Sequence, residues 1–332
     1  MNQPAPTTGP MLEVTDLTVT FQLKERTVEA VRGASLVLGE GEAIGILGES
    51  GSGKSVTGRA LMGLLPKTAR VEADTMAFRG RSLLSGDVAS HGAQPMAMIF
   101  QSPFTALNPV FSIRAQLCEV LEKRRGMTRS AAAVEAVRLL DAVRIPDAKN
   151  RMNNYPHEFS GGQLQRIMIA LALALEPEIL IADEPTTALD VTVQAQVLEL
   201  IREIRRERNM GLIFISHDLD VVSEVADRVY VMYAGRLIES GPVADMFDEP
   251  RHPYTRGLLT AAPSLSLDGG RLQSIPGSPP ESGMPVHPCA FAPRCDLSTE
   301  ICVTVRPELL PVGQGRMAAC HHSEQLALRV AS

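Results

Sequence analysis

The chain has 332 residues, 45% of them hydrophobic and 21% charged, with a formal net charge of −6. That composition suits a globular protein with a large core and an appendage, and the acidic balance gives no electrostatic reason to expect a nucleic acid partner. No stretch approaches the ~20 continuous apolar residues that span a bilayer, and the polar start lacks a basic segment followed by an apolar one, so the sequence reads as cytosolic with a flexible segment over 1–11.

In chain order, residues 12–23 alternate at Leu12, Val14, Leu17, Val19 and Phe21 as an edge strand does, and 28–38 supply a second strand before the Gly-Glu-Gly-Glu turn at 39–42. The apolar run Ala43–Leu47 reads as a buried strand that stops where Gly48-Glu49-Ser50-Gly51-Ser52-Gly53-Lys54-Ser55 begins. This is G-x-x-x-x-G-K-S in its proper setting, with a helical pattern over 55–65 ending at Pro66. Glycines let successive backbone N–H groups face phosphate oxygens, the helix adds its positive end, Lys54 reaches the β- and γ-phosphates, and the Ser55 hydroxyl suits Mg²⁺. Short strands follow at 76–78 and 96–100, separated by a polar excursion over 79–94.

From 113 the pattern turns helical, over 113–124, 130–143 and 162–175. The next strand, 179–182, is wholly apolar, as burial on both faces requires. A helix at 191–207, a strand at 212–216, a helix at 219–226 and a hairpin of 229–233 with 236–240 complete an alternation that implies an α/β core with a mostly parallel sheet. There is no internal repeat, hence one nucleotide unit per chain. Beyond 248, closely spaced prolines mark an irregular extension, and four of the five cysteines lie there.

Phosphate binding becomes hydrolysis when a carboxylate meets the metal and another group orients water. Asp183, ending the apolar strand, is placed to meet Mg²⁺, and the adjacent Glu184 carboxylate suits a general base. An acidic pair opening a turn fits a plain turn equally well by itself; the loop at 48–55 favours catalysis.

Phe159-Ser160-Gly161-Gly162-Gln163 resembles the signature motif of ATP-binding cassette (ABC) transporter ATPases, with Phe159 where Leu is usual. The resemblance covers 12 to about 245. It implies a P-loop NTPase (ABC ATPase) core with an antiparallel β subdomain and an inserted α-helical subdomain at about 103–176, the whole nucleotide-binding domain spanning 12–247. It further implies a head-to-tail dimer in which Ser160, Gly161, Gly162 and Gln163 of one subunit face the ATP held by the P-loop of the other. On the same basis Gln101 is the Q-loop glutamine that touches Mg²⁺ or water, His217 the switch histidine at the γ-phosphate, Asp190 part of the dimer-facing segment Ala188-Leu189-Asp190, and Phe21 the aromatic stacked on adenine, although a Phe on an alternating strand also suits a core.

His252-Pro253-Tyr254-Thr255, Ile275-Pro276-Gly277 and the cysteines resemble the extension of the oligopeptide and dipeptide importer ATPases, a branch that includes nickel and glutathione importers. The resemblance implies a [4Fe–4S] cluster on Cys289, Cys295, Cys302 and Cys320, within an extension over 248–332; tetrahedral zinc with His321 or His322, or four reduced thiols, are the alternatives. Cys118 reads as a small buried apolar residue. The implied protein is a peripheral ATPase on the cytoplasmic face of the inner membrane, driving import of di- or oligopeptides. Its implied partners are a second, paralogous ATPase, two transmembrane permease subunits and an extracytoplasmic binding protein, with no nucleic acid. Nickel, glutathione or another small solute is the alternative cargo. A soluble ATPase of DNA repair or translation is the competing class, and the cysteine tail and the compact insert argue against it.

Overall fold

The computed structural model describes residues 9–84, 95–187, 189–262, 274–281 and 286–330, with side chains to 326. Sequence expectations for 1–8, for 85–94 and for Ala188 lie outside the described residues. The chain divides into two compact units, 1–84 with 214–332, and 85–213.

The first unit opens with β1 (Leu12–Gln22) and β2 (Thr27–Leu38), paired antiparallel with Leu12 opposite Leu38 and Val19 opposite Val31. Leu12, Val14, Leu17 and Val19 are buried, but the spacing from 14 to 17 breaks the period of two. The ladder shifts register there, and Asp16 takes a left-handed φ of 54°, which is the signature of a bulge. Every residue of β3 (Ala43–Leu47) is buried. Helix α1 (Lys54–Leu61) ends earlier than expected because Gly63 turns left-handed at φ 64°. β4 (Ala69–Glu72), which the sequence did not reveal, and β5 (Thr75–Phe78) pair with β1, and β6 (Arg81–Ser82) pairs with β5.

The second unit holds β7 (Met96–Ile99), α2 (Pro103–Ala106), α3 (Ile113–Arg125), α4 (Arg129–Ala142), α5 (Ala148–Arg151), α6 (Gly161–Leu173), β8 (Ile179–Asp183) and α7 (Val191–Arg208). Side-chain oxygens cap the longer helices: Ser112 Oγ accepts from Ala115 N at 3.3 Å and Thr128 Oγ1 from Ala131 N at 3.4 Å. Leu117 and Leu121 of α3, Leu139 and Leu140 of α4, and Leu164 and Ile167 of α6 are buried as these three helices pack together. β7 and β8 are parallel, Met96 opposite Ile179 and Ile99 opposite Ala182.

β9 (Gly211–Ser216) carries the chain back to the first unit, followed by α8 (Leu219–Val225), β10 (Arg228–Tyr233) and β11 (Arg236–Pro242). Ala234 and Gly235, at φ 47° and 81°, make the tight hairpin turn that needs two left-handed residues. β10 runs parallel to β3, with Val231 opposite Leu47. α9 (Val243–Asp248) follows β11, and the extension contains α10 (Pro253–Ala261), α11 (Glu300–Thr304), β12 (Leu310–Gly313), β13 (Arg316–Ala318) and α12 (Ser323–Val330). β13 pairs with β11, and β12 with β13, so the strand order within this unit is β3, β10, β11, β13, β12. Among the described residues no helix is long and apolar enough to cross a membrane.

Candidate functional site

The glycine loop lies between β3 and α1, and its glycines are sterically required. A Cβ on Gly48 would sit 2.2 Å from the Met232 carbonyl oxygen and one on Gly53 2.6 Å from that of Ala30, with φ at 155° and 105°. Lys54 is 4% exposed, and its Nζ donates to the carbonyl oxygens of Gly48 at 2.6 Å and Glu49 at 2.9 Å, so the ammonium is cradled within the loop. Beside it the Ser52 hydroxyl is buried with no hydrogen-bond partner among the described residues. A buried cation, an unsatisfied hydroxyl and a helix N-terminus together fit a phosphate chain. Lys54 and the loop amides would hold ATP, with Ser55 at its Mg²⁺. Phe21 on β1 is half-buried, opposite Val28. His217 follows β9 and is exposed, and Asp218 caps α8 by accepting from Asp220 N and Val221 N.

In the second unit the acidic pair closes β8. Asp183 is 1% exposed, and Glu184 turns left-handed at φ 47°, a conformation that costs energy in a residue with a Cβ. That turn brings its carboxylate to two donors: Gln101 Nε2 reaches Glu184 Oε2 at 2.9 Å, and Thr187 Oγ1 the same oxygen at 3.1 Å. Gln101 and Glu184 are 83 positions apart, and the parallel pairing of β7 with β8 places them at neighbouring strand ends. Thr187 was missed in the sequence; its position three residues after the glutamate, within a turn, was the only signal.

Ser160 and Gln163 form a capping box on α6. Ser160 Oγ accepts from Gln163 N at 3.4 Å, and Gln163 Oε1 accepts from Ser160 N at 3.2 Å and from Arg151 Nη2 at 3.1 Å. Gly161 and Gly162 thus start α6 behind its Ser160 cap. Gly162 is needed for packing too, since a Cβ there would lie 2.4 Å from Val193 Cγ1. Asp190 caps α7, its Oδ1 accepting from Val193 N at 3.0 Å.

The expected iron–sulfur cluster on Cys289, Cys295, Cys302 and Cys320 is corrected by the structure. Among the described residues no group of three or more His, Cys, Asp or Glu side chains is arranged to hold a metal ion, which removes zinc as well, and all four thiols are free. Their sulfurs serve the local turns instead: Leu297 N donates to Cys295 Sγ at 3.4 Å and His322 N to Cys320 Sγ at 3.3 Å. Burial pushes the Cys295 thiol up to about 11 and that of Cys320 up to about 12, with neighbouring thiols adding to the effect.

Two family models match the chain: an ABC transporter model over residues 31–187, and the C-terminal region of oligopeptide/dipeptide transporters over 238–302. The chain is 49% identical over 313 residues to the oligopeptide transport ATP-binding protein OppD of Salmonella typhimurium, covering 93% of both proteins. It is 44% identical to a putative peptide import ATP-binding protein of Brucella melitensis, covering 96% of this chain and 98% of that one. Among solved structures it resembles cbiO1 of Clostridium perfringens, part of an ABC transporter complex, with a TM-score of 0.59 and 26% identity over 72% of this chain and 91% of the other. A dimeric ATP-binding cassette bound to ADP and Pi in a post-hydrolysis state is similar at the same TM-score and identity, over 70% of this chain and 99% of that one.

Proposed function

Because the chain belongs to the ABC transporter family of ATP-binding subunits, in its oligopeptide and dipeptide branch, we propose that it is the ATPase that powers import of di- or oligopeptides through separate membrane permease subunits. The observation that carries the catalytic reading is the left-handed turn at Glu184, which presents its carboxylate to Gln101 and Thr187. In this reading Lys54 and the amides of 48–55 bind the phosphates, while Ser55, Asp183 and Gln101 hold Mg²⁺. Glu184 accepts the proton of the attacking water as His217 steadies the γ-phosphate. MgATP supplies the phosphoryl group and the counter-charge for its transfer.

The finer assignments extend the same reading. Residues 12–247 form the nucleotide-binding domain, with a helical part at about 103–176 that meets the permease, and 248–332 form the extension. Ser160 to Gln163 and Asp190 face a partner ATPase, a paralogue of this chain, and Phe21 stacks on adenine. The assembly lies on the cytoplasmic face of the inner membrane and receives peptide from an extracytoplasmic binding protein.

The test is Glu184→Gln in the full complex. The side chain keeps an oxygen for Gln101 and Thr187 but can no longer take a proton, so phosphate release falls about a hundredfold or more while ATP binding persists. Turnover within twofold of the parent would remove Glu184 from the chemistry. Peptide uptake into proteoliposomes that depends on ATP inside tests the cargo, with nickel or glutathione uptake as the contrary result.

A further inference from the structure

The extension grips the P-loop by its second residue. Arg294 Nη1 donates to Glu49 Oε2 at 2.8 Å and Nη2 to Oε1 at 3.1 Å, a two-pronged pair spanning 245 positions of sequence. Its side chain is only 6% exposed, that of Glu49 25%. Arg294 is fixed from behind as Nε donates to the Pro276 carbonyl at 2.9 Å, and its guanidinium lies 5.8 Å from the Tyr233 ring centroid and 5.9 Å from that of Phe291. Burial acts against the charge on Arg294, yet its bonds to Glu49 and Tyr233 outweigh this and raise it above its ordinary value. A second bond comes from the start of α10, where the fully buried Tyr254 hydroxyl accepts from Glu49 N at 2.9 Å.

The consequence reaches the nucleotide residue. The Glu49 amide is committed to Tyr254, which orients the peptide plane before it, and its carboxylate to Arg294, which holds its side chain. Its carbonyl oxygen is the one that accepts from Lys54 Nζ at 2.9 Å. Three groups of one loop residue are thus tied, two to the extension and one to the phosphate-binding lysine.

We propose that Arg294 is a positioning residue for nucleotide binding: through Glu49 it sets the P-loop and Lys54 for ATP, so that the C-terminal extension is a working part of the nucleotide site. This rests on the ATPase reading above. A staple that merely held the extension in place would need no contact with the residue that orients Lys54.

The test is a double-mutant cycle in the full chain with Arg294→Met, Glu49→Gln and both together. Affinity for a fluorescent N-methylanthraniloyl-ATP with Mg²⁺ is read beside the melting temperature without nucleotide. Losing a buried, charge-assisted bidentate pair should weaken binding about tenfold in each single variant. The double variant should be no weaker than the worse single, and Arg294→Lys, which restores the charge and one donor, should recover part of the loss. Affinities within twofold of the parent, with only the melting temperature lowered, would overturn the proposal, as would effects that multiply in the double variant. If Arg294→Met does not fold, Glu49→Gln and Arg294→Lys decide alone: loss in the first and partial loss in the second support the proposal, and unchanged affinity in both overturns it. A parent chain that binds no ATP would instead sink the ATPase reading, and the proposal with it.

Discussion

A buried carboxyl on β11 and a buried imidazole at the start of α10 titrate in opposite senses and mask each other. Glu239, 0% exposed, accepts from Arg251 N at 2.6 Å and His252 N at 2.9 Å, while His252 Nδ1 accepts from Tyr254 N at 3.0 Å. Burial raises the Glu239 carboxyl from 4.5 to about 7 against the pull of those amides and of Arg316, and burial lowers His252 from 6.5 to about 3. The Glu239 contribution to stability is therefore complete below 4.5 and lost as pH rises through 7; that of His252 is complete above 6.5 and lost as pH falls through 3. Between pH 4.5 and 6.5 each changes by about 2 kcal/mol, at 1.36 kcal/mol per unit, with opposite sign. Urea denaturation across this window, compared with the parent at each pH, should unmask them. Glu239→Gln leaves the histidine alone, and its stability should climb with pH by about 2 kcal/mol relative to the parent. His252→Asn, which keeps an acceptor for Tyr254 N, should decline by a similar amount. Parallel curves for the parent and both variants would refute the reasoning.

Other outcomes follow from single contacts. Gly162→Ala should destabilise by about 1–3 kcal/mol, because the new methyl meets the stiff Val193 side chain, and Val193→Ala should restore much of the loss in the same urea assay. Lys54→Met should abolish calorimetric binding of MgATP and lower stability by about 1–3 kcal/mol, since it removes the ammonium that donates to the buried Gly48 carbonyl and to that of Glu49, which keeps Ser52 N. Gly45→Ala should cost a similar amount by pressing α8 off β3, its Cβ falling 2.4 Å from Val222 Cγ1, while thermal melting shows a shift with no change in cooperativity.

Much of the core was legible because local rules and tertiary structure agreed. Apolar runs such as Ala43–Leu47 and 179–182 are buried from end to end, and the glycines of the loop sit where only glycine closes it. Helix α1 was read four residues too long because a mid-pattern Gly63 does not announce its left-handed φ. β12 and β13 escaped notice since runs of four and three residues, one containing Pro311, are too short to carry a period of two. The pairing of Glu49 with Arg294 was invisible in principle: each looks like a surface charge until folding closes the distance. The cysteines misled for the opposite reason, since sequence counts potential ligands but not the arrangement that would let them share a metal, which the described residues lack.

The pairing of β13 with β11 bears on how such chains can be recombined. Glu239 stands opposite Ala318 and Ser240 opposite Met317, and Ala319 N donates to the Ile238 carbonyl at 2.8 Å. A cassette severed at 247 would carry a raw margin of unpaired amides and carbonyls, open to any strand a neighbouring molecule offers. The tail is a sealing strip, not a pendant module, so a chimera that exchanges tails between relatives must take its new β11 from the same donor as its new β13.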